Sequence, residues 1–359
     1  MKHEANPNRL YGQNKILWSL TLRHLKMFFK NKLAFFFSLL VPLITLVIYI
    51  LFLRDLEFQS VDGVLKTYNL TGNELVIGQA HSLVDSWMLS GILAVSCITV
   101  SLNSCLIIIT DRETGSNRDF VSSPISRSVI NISYFLFNII VTAIIIFVLL
   151  VVCLIYLGSV GSFYLSFANV MAVILCSIVS IISASLITVF VVSFVHSGAV
   201  FNSLIAIISA SIGFLVGAYM PVSMLPDSVK YLCVFFPGTY SAGIFRNYFL
   251  QDQFIELMSV LRSTGVPDTT IIQMVKDLEA NFTMNVSFFG HELDVPMMYL
   301  CLFVGILLFV ILNLFFADRN LRAGLTGKRK RRKKKDALIV AKNNEETQIR
   351  QIDTSHIEK

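Results

Sequence analysis

The side chains that could do chemistry in this sequence are concentrated in one polar segment, Asp111–Arg127, which reads DRETGSNRDFVSSPISR. It holds six charged residues and lies between two apolar runs without charge, Trp87–Thr110 and Ser128–Leu165. Carboxylates and guanidiniums at this density suit charge pairing with another protein surface. A plain loop between two membrane spans is the simpler interpretation, so the role of this polar segment depends on the elements around it.

The other reactive residue types form no catalytic or metal-binding pattern. The sequence has no Walker A loop, no GxSxG or HExxH motif and no Cys/His cluster. Its six histidines are scattered, and its six cysteines are spread singly without CxxC spacing, which is typical of small apolar residues. We therefore expect a chain that is not an enzyme, has no metal site and binds no cofactor itself.

The composition indicates a membrane protein. Hydrophobic residues make up 55% of the chain and charged residues 14%, whereas charged residues make up about 25% of soluble domains. Several uncharged runs exceed the roughly 18 residues that a helix needs to cross a bilayer. The sequence predicts an all-α polytopic membrane protein with six transmembrane helices, at about residues 33–53, 87–109, 128–156, 168–195, 200–219 and 296–316.

We divide the chain into a cytoplasmic arm (residues 1–32), a six-span domain (residues 33–319) and a basic tail (residues 320–359). In the arm, Asn14–Lys32 places apolar and basic residues at helical spacing. This pattern predicts an amphipathic helix in the membrane interface, although a basic flank that orients the first span would look similar. The residues expected at the interface are Trp18, Arg23, Lys26 and Phe29.

The tail contains eight consecutive cations, Lys328–Lys335, just after the last predicted span. Anionic lipid headgroups are the expected partner of such a run at a membrane, and nucleic acid is not. The residues beyond it are polar, and we expect them to be disordered.

Charge asymmetry orients the chain. The segments on the side of the two termini hold 23 Lys and Arg residues, and those on the other side hold six. The positive-inside rule then places both termini and the polar segment in the cytoplasm. Residues 220–295 lie outside, where an apolar stretch, Val229–Phe236, predicts a re-entrant or surface helix and Asp268–Ala280 a further helix.

The fourth and fifth predicted spans are rich in small and hydroxylated residues, such as Ser209, Gly213 and Gly217. This spacing allows close helix approach, within the chain or towards a partner subunit or a translocation path. The spans contain no embedded charged residue, which argues against an ion-coupled carrier.

Three of these features together resemble the permease subunit of the type-2 ABC exporters, over roughly Asn14–Arg319. The first is the amphipathic helix of the arm. The second is the polar segment, which is similar to the family pattern E-R-E-x-G-T-x-x-x-L-x-x-x-P-[IV]-S-R, with Asp111 in place of Glu and Ser116 in place of Thr. The third is similar to G-x-x-x-P-x-x-x-L-P…P-x-T-Y…R, and its matching residues are Gly217, Pro221, Leu225, Pro226, Pro237, Thr239, Tyr240 and Arg246.

The resemblance implies how such a chain would work. ATP and Mg²⁺ would bind a separate ABC ATPase subunit, and two permease subunits, identical or homologous, would form the path between them. The polar segment would be the coupling helix that docks on the ATPase, with Arg112, Glu113 and Asp119 as contacts. The residues that the resemblance assigns to ATPase coupling are Arg112, Glu113, Thr114, Gly115 (as a turn), Ser116, Asp119, Pro124, Ile125 and Ser126.

The expected function is export of an amphipathic or lipid-like substrate, such as a peptide or bacteriocin, a drug or a lipid-linked molecule, across a bacterial plasma membrane. The alternative is a non-transporting membrane scaffold or sensor that binds a ligand with its extracellular cap. A channel or an ion-coupled carrier is disfavoured by the uncharged spans.

Overall fold

The computed structural model describes residues 7–116, 119–120, 123, 125–195, 197–288 and 291–316. The fold is almost entirely helical within these ranges. Its helices are α1 (Pro7–Lys30), α2 (Lys32–Ile48), α3 (Arg54–Thr67), α4 (Glu74–Ser104), α5 (Leu106–Thr114), α6 (Arg127–Val160), α7 (Phe167–Val192), α8 (Gly198–Leu215), α9 (Asp227–Val234), α10 (Pro237–Ser263), α11 (Asp268–Asn281) and α12 (Val295–Phe316).

The described residues also contain one antiparallel hairpin, β1 (Val286–Phe288) with β2 (His291–Leu293). The sequence prediction was all-helical and missed it. Strands of three residues are too short to show the alternation of apolar and polar side chains that indicates a strand.

Six helical stretches are long and apolar enough to cross a membrane, the number that the sequence predicts. The first two are longer than expected, Lys32–Thr67 and Glu74–Thr114. In the first, a π-helical turn, Tyr49–Leu53, joins α2 to the polar helix α3. The second begins early because Asn73 accepts hydrogen bonds from the backbone N–H groups of the first turn of α4.

The centre of the fold is α4, which packs against α6, α7 and α10. In its most apolar 18-residue window, 89% of the residues are buried, against 22%, 17% and 11% in the α2, α8 and α12 spans. Apolar surfaces as large as those of the three outer spans require lipid or another subunit as cover.

Helix α1 packs on α6 and ends at Lys30, slightly before the predicted end. The Asn31 side chain accepts a hydrogen bond from the Ala34 N–H and so starts α2. Trp18, Lys26 and Phe29 lie on the exposed face of α1, and their place in the membrane interface stays a prediction.

The segment between the last two spans is held against the bundle. Helix α10 starts at Pro237, and its first half is buried along α4. Helix α11 starts at Asp268, where the sequence places it, and packs its apolar face on α3.

Candidate functional site

The last turn of α5 contains three consecutive charged residues, and each binds a different part of the fold. Asp111, whose side chain is fully buried, accepts two hydrogen bonds from the Arg23 guanidinium of α1, at 2.9 and 3.0 Å. It also accepts one from the Tyr134 hydroxyl of α6, at 2.7 Å. A bidentate guanidinium–carboxylate pair fixes direction as well as distance, so Asp111 joins α1 and α6 to α5.

His24 completes the surroundings of this carboxylate. Its buried ring stacks on Tyr134, with centroids 4.2 Å apart, and its Nε2 lies 3.6 Å from an Asp111 oxygen. Burial lowers the pKa of His24, and this effect outweighs the opposing attraction of Asp111. In contrast, the hydrogen bond to Asp111 raises the pKa of Arg23. The charge of Asp111 is therefore balanced by Arg23, with a neutral His24 beside it.

Arg112 binds the end of α7. Its side chain is only 6% exposed, and Nη1 donates hydrogen bonds to the Val192 and Val195 carbonyls, at 2.8 and 2.5 Å. The last carbonyls of a helix lack partners within the helix and form its negative pole. The guanidinium adds a hydrogen bond to the Val192 carbonyl, which also accepts from the Val195 N–H, and it binds the Val195 carbonyl just beyond the helix, so it fixes the end of α7 against α5.

Glu113 binds the start of α8. Its Oε1 accepts a hydrogen bond from the Gly198 N–H, at 2.8 Å. The first N–H groups of a helix form its positive pole, which a carboxylate stabilises. The approach is close, because a Cβ added at Gly198 would lie 3.3 Å from both Glu113 carboxylate oxygens.

The next residues turn the chain away from α5. Gly115 ends the helix in the left-handed conformation, with φ of 89°, which glycine adopts without strain. The Thr114 hydroxyl donates to the Thr110 carbonyl and lies 3.1 Å from the Ser116 hydroxyl. Asp119 is exposed.

The polar segment returns to the bundle through Ile125, which is partly buried, and Ser126, which precedes the first residue of α6. Pro124 and the residues at 117–118 and 121–122 lie outside the described part of the chain. The predicted coupling helix therefore lies partly outside the described residues. The basic tail lies beyond the described residues too.

Arg112 and Glu113 both bind helix ends within the chain, and their contact with an ATPase stays a prediction. The sequence could not show this, since α7, α8 and α5 meet only in the folded bundle. Arg23 differs from the other residues predicted at the membrane interface, because its guanidinium binds Asp111 within the fold. The exposed carboxylate of Asp119 stays a predicted docking contact.

The motif on the other side of the bundle is built around a buried cation. Arg246, fully buried in α10, donates hydrogen bonds to the Val216 and Gly217 carbonyls, at 3.0 and 2.6 Å, just after α8 ends. Burial lowers the pKa of Arg246 to about 10, so the guanidinium stays charged at neutral pH. Gly217 has φ of 72°, and an added Cβ would lie 2.5 Å from Val222 Cγ2.

Other members of this motif are also bound inside the chain. The Thr239 hydroxyl lies 2.7 Å from the Cys233 carbonyl and 3.1 Å from the Leu215 carbonyl, and the Tyr240 hydroxyl donates to the Val234 carbonyl. These contacts join α10 to the ends of α8 and α9. The prolines and Leu225 mark the boundaries, with Pro221 before a short 3₁₀ turn, Leu225 after it, Pro226 before α9 and Pro237 first in α10.

Sequence reasoning missed one buried ion pair. Asp85 of α4 is 1% exposed and accepts two hydrogen bonds from Arg54 of α3, at 2.9 and 3.0 Å. Both residues were assigned to the outer segment, yet α4 extends past Asp85 to Glu74. The apolar runs are therefore uncharged, whereas the full helices contain charged residues. The sequence signal for this pair was the position of Arg54, directly after one apolar run, and of Asp85, just before the next.

Within the part of the chain that the structure describes, no three His, Cys, Asp or Glu side chains lie together as metal ligands, and the six cysteines are free.

Comparison with protein families matches residues 66–315 to the family described as ABC-2 family transporter protein. The match covers well over half of the chain and includes α4 to α12 with both motifs, while α1 lies before it. No curated protein and no solved structure matches the chain.

Proposed function

Because the chain belongs to the ABC-2 family of transporter proteins, we propose that it is the permease subunit of an ATP-driven exporter that couples to a separate ATPase. Membership and the six apolar helices make it a multi-pass membrane protein and a transport component, not a catalytic subunit. The family as a whole works with an ABC ATPase and in a dimeric arrangement. In our proposal, ATP and Mg²⁺ bind that ATPase, and the polar segment receives its motion.

The observation that carries this proposal is the set of contacts made by Asp111, Arg112 and Glu113. Through them α5 is connected to α1 and α6, to the end of α7 and to the start of α8. Coupling between distant sites travels through rigid elements joined by such contacts. A displacement of the polar segment by a docked ATPase would therefore reach four helices at once.

Helix α8 is our candidate for the surface that meets the second permease subunit or lines the path. Its buried fraction is low, and its start is held by Glu113. Small side chains on a membrane helix allow close approach, and hydroxyl groups give a polar surface. The exposed small or polar residues of α8 are Ala199, Asn202, Ser203, Ala206, Ala210 and Ser211. Such a surface suits an amphipathic or lipid-like substrate, such as a peptide, a drug or a lipid-linked molecule.

We further propose that both termini are cytoplasmic and that the membrane is a bacterial plasma membrane. The excess of Lys and Arg on one side supports the orientation. The contact of Arg23 with Asp111 agrees with it, because it requires α1 and the polar segment to share one side of the membrane. The basic tail would then contact anionic headgroups.

Co-purification tests the proposal. The full chain is expressed with candidate ABC ATPases that contain a P-loop, reconstituted in lipid nanodiscs, and assayed for ATP hydrolysis. We expect a stable complex whose hydrolysis exceeds that of the ATPase alone. Asp119→Lys, in the polar segment, should weaken association, while Asp268→Lys, exposed on α11, should not. Absence of any bound ATPase, or equal effects of both substitutions, would contradict the proposal.

A further inference from the structure

The second span is interrupted just before the residues that bind the other helices. Helix α4 ends at Ser104 and α5 begins at Leu106, with Cys105 between them. In a continuous α-helix the Cys105 N–H would donate to the Ser101 carbonyl, four residues earlier. Here it donates to the Leu102 carbonyl, at 3.1 Å. The Ser101 carbonyl therefore loses its helical partner in the buried interior.

The usual causes of a helix break do not apply at this position. No proline or glycine lies between Ala94 and Thr114, although most sharp interruptions depend on one of them or on an inserted side chain. Ser104 supplies part of the replacement, because its hydroxyl donates to the Ser101 carbonyl at 2.9 Å.

A side chain from the neighbouring helix fills the rest of the gap. Asn138 of α6 is fully buried, and its Nδ2 lies 2.8 Å from the Ser101 carbonyl, 2.7 Å from Ser104 Oγ and 3.1 Å from Cys105 Sγ. Its Oδ1 accepts a hydrogen bond from the Ser101 hydroxyl, at 2.7 Å. All three partners belong to the broken turn. Asn138 thus supplies bonds that the helix backbone does not make there.

The position of the break separates two parts with different surroundings. Above it, α4 is the most buried span of the fold, and below it the nine residues of α5 carry Asp111, Arg112 and Glu113. Asn138 and Tyr134 are one turn apart on α6, so the same helix binds the break before α5 and Asp111 near its end. The break leaves α5 joined to α4 through the single residue Cys105, so α5 can change its angle without unfolding the helix above it when its buried residues Ile107, Ile108 and Ile109 move with it.

We propose that Cys105 is a hinge on which α5 pivots relative to α4, and that Asn138 is the positioning residue that holds the break in its resting geometry. The subunit that drives the pivot rests on the proposed function, whereas the break itself does not.

The first test uses the full chain alone in nanodiscs. Spin labels at Thr114→Cys and Ile155→Cys, both exposed sites, report the position of the end of α5 relative to the far end of α6. The native cysteines are mostly buried, which limits their labelling. Asn138→Leu removes the hydrogen bonds at similar volume, so Cys105 can again bond to Ser101. We expect the mean distance between the labels to shift in this variant.

The matched control is Thr142→Val, one turn further along α6. Thr142 is also fully buried, but its hydroxyl has no hydrogen-bond partner among the described residues. This control should leave the distance unchanged. If Asn138→Leu does not fold, the pair Ser101→Ala and Ser104→Ala removes hydroxyl partners of Asn138 and should shift the distance in the same direction. A distance equal to that of the unaltered chain would overturn the hinge.

The second test adds the partner ATPase. The distance should change between the nucleotide-free state and the state trapped with ATP and vanadate. Asn138→Leu should shift the ratio of the two label-distance populations by at least about threefold, the factor that corresponds to loss of one typical membrane hydrogen bond. ATP hydrolysis should be equal in the labelled chain with and without Asn138→Leu. An unchanged ratio in Asn138→Leu would overturn the hinge. Failure of any ATPase to bind would instead contradict the proposed function, and the first test alone would then decide about the hinge.

Discussion

At the scale of single residues, several buried charged side chains bind distant parts of the chain. Asp111 and Arg246 are fully buried, and each is held by partners from distant elements. A buried charge without such partners would be strongly unfavourable. Sequence reasoning can locate such residues between apolar runs. It cannot identify their partners, because Arg23 and Asp111 are separated by 88 positions.

Removal of Arg23 should destabilise the chain by leaving the Asp111 carboxylate without its cation. We expect Arg23→Ala to reduce the free energy of unfolding by about 1–3 kcal/mol, a typical result for a buried group that loses a hydrogen-bond partner. Thermal unfolding in detergent, followed by circular dichroism, measures the effect. The double variant with Asp111→Asn should recover part of the loss, because no charge then remains buried.

The control for Arg23 is an ion pair of the same type at the surface. Arg262 and Asp268 are 64% and 72% exposed, and such pairs contribute about 1 kcal/mol or less. Arg262→Ala should therefore leave the unfolding temperature nearly unchanged. Equal shifts in Arg23→Ala and Arg262→Ala would show that the pair with Asp111 has no special structural role.

At the scale of elements, the sequence predicts the helices that long uncharged runs indicate. The six spans were predictable because uncharged runs have a length set by the bilayer. The helix α3 and the first three turns of α4 were not, because charged residues interrupt their apolar residues and their packing partners lie elsewhere. The interruption at Cys105 depends on Asn138 of another helix, so no pattern in residues 94–114 indicates it.

The connection after α8 is an element whose shape depends on a single glycine. Gly217→Ala should destabilise the chain by about 1–3 kcal/mol, because φ is 72° and the new Cβ would meet Val222 and Arg246. Gly63→Ala, in the middle of helix α3 with open space around it, should instead be neutral or stabilise by up to about 1 kcal/mol. Unfolding temperatures of the two variants compare them directly. If Gly217→Ala leaves the unfolding temperature unchanged, the connection after α8 can rearrange to accept the side chain.

At the scale of the whole molecule, the fold has a buried centre with helices whose apolar sides remain uncovered. Helix α4 belongs to the centre, while α2, α8 and α12 have large exposed apolar surfaces. Lipid can cover α2 and α12. The start of α8, however, is bound to α5, the short helix that leads into the polar segment. Motion of that segment should therefore change which surface α8 exposes.

Glu113 is the residue on which this connection to α8 depends. In the complex with its ATPase, a cysteine introduced at the exposed Ser203 of α8 should change its maleimide-labelling rate between nucleotide-free and ATP-bound states. Glu113→Ala removes the bond to the Gly198 N–H, a loss similar to that of a helix cap at about 1 kcal/mol. We expect a smaller nucleotide-dependent change in this variant, because about 1 kcal/mol shifts the equilibrium between the two states by about fivefold. Binding of the ATPase should persist, because this carboxylate binds α8.

Glu74→Ala, in the exposed first turn of α4, is the control and should keep the full change. Loss of ATPase binding in Glu113→Ala would show instead that Glu113 is a docking contact, as the sequence alone suggested.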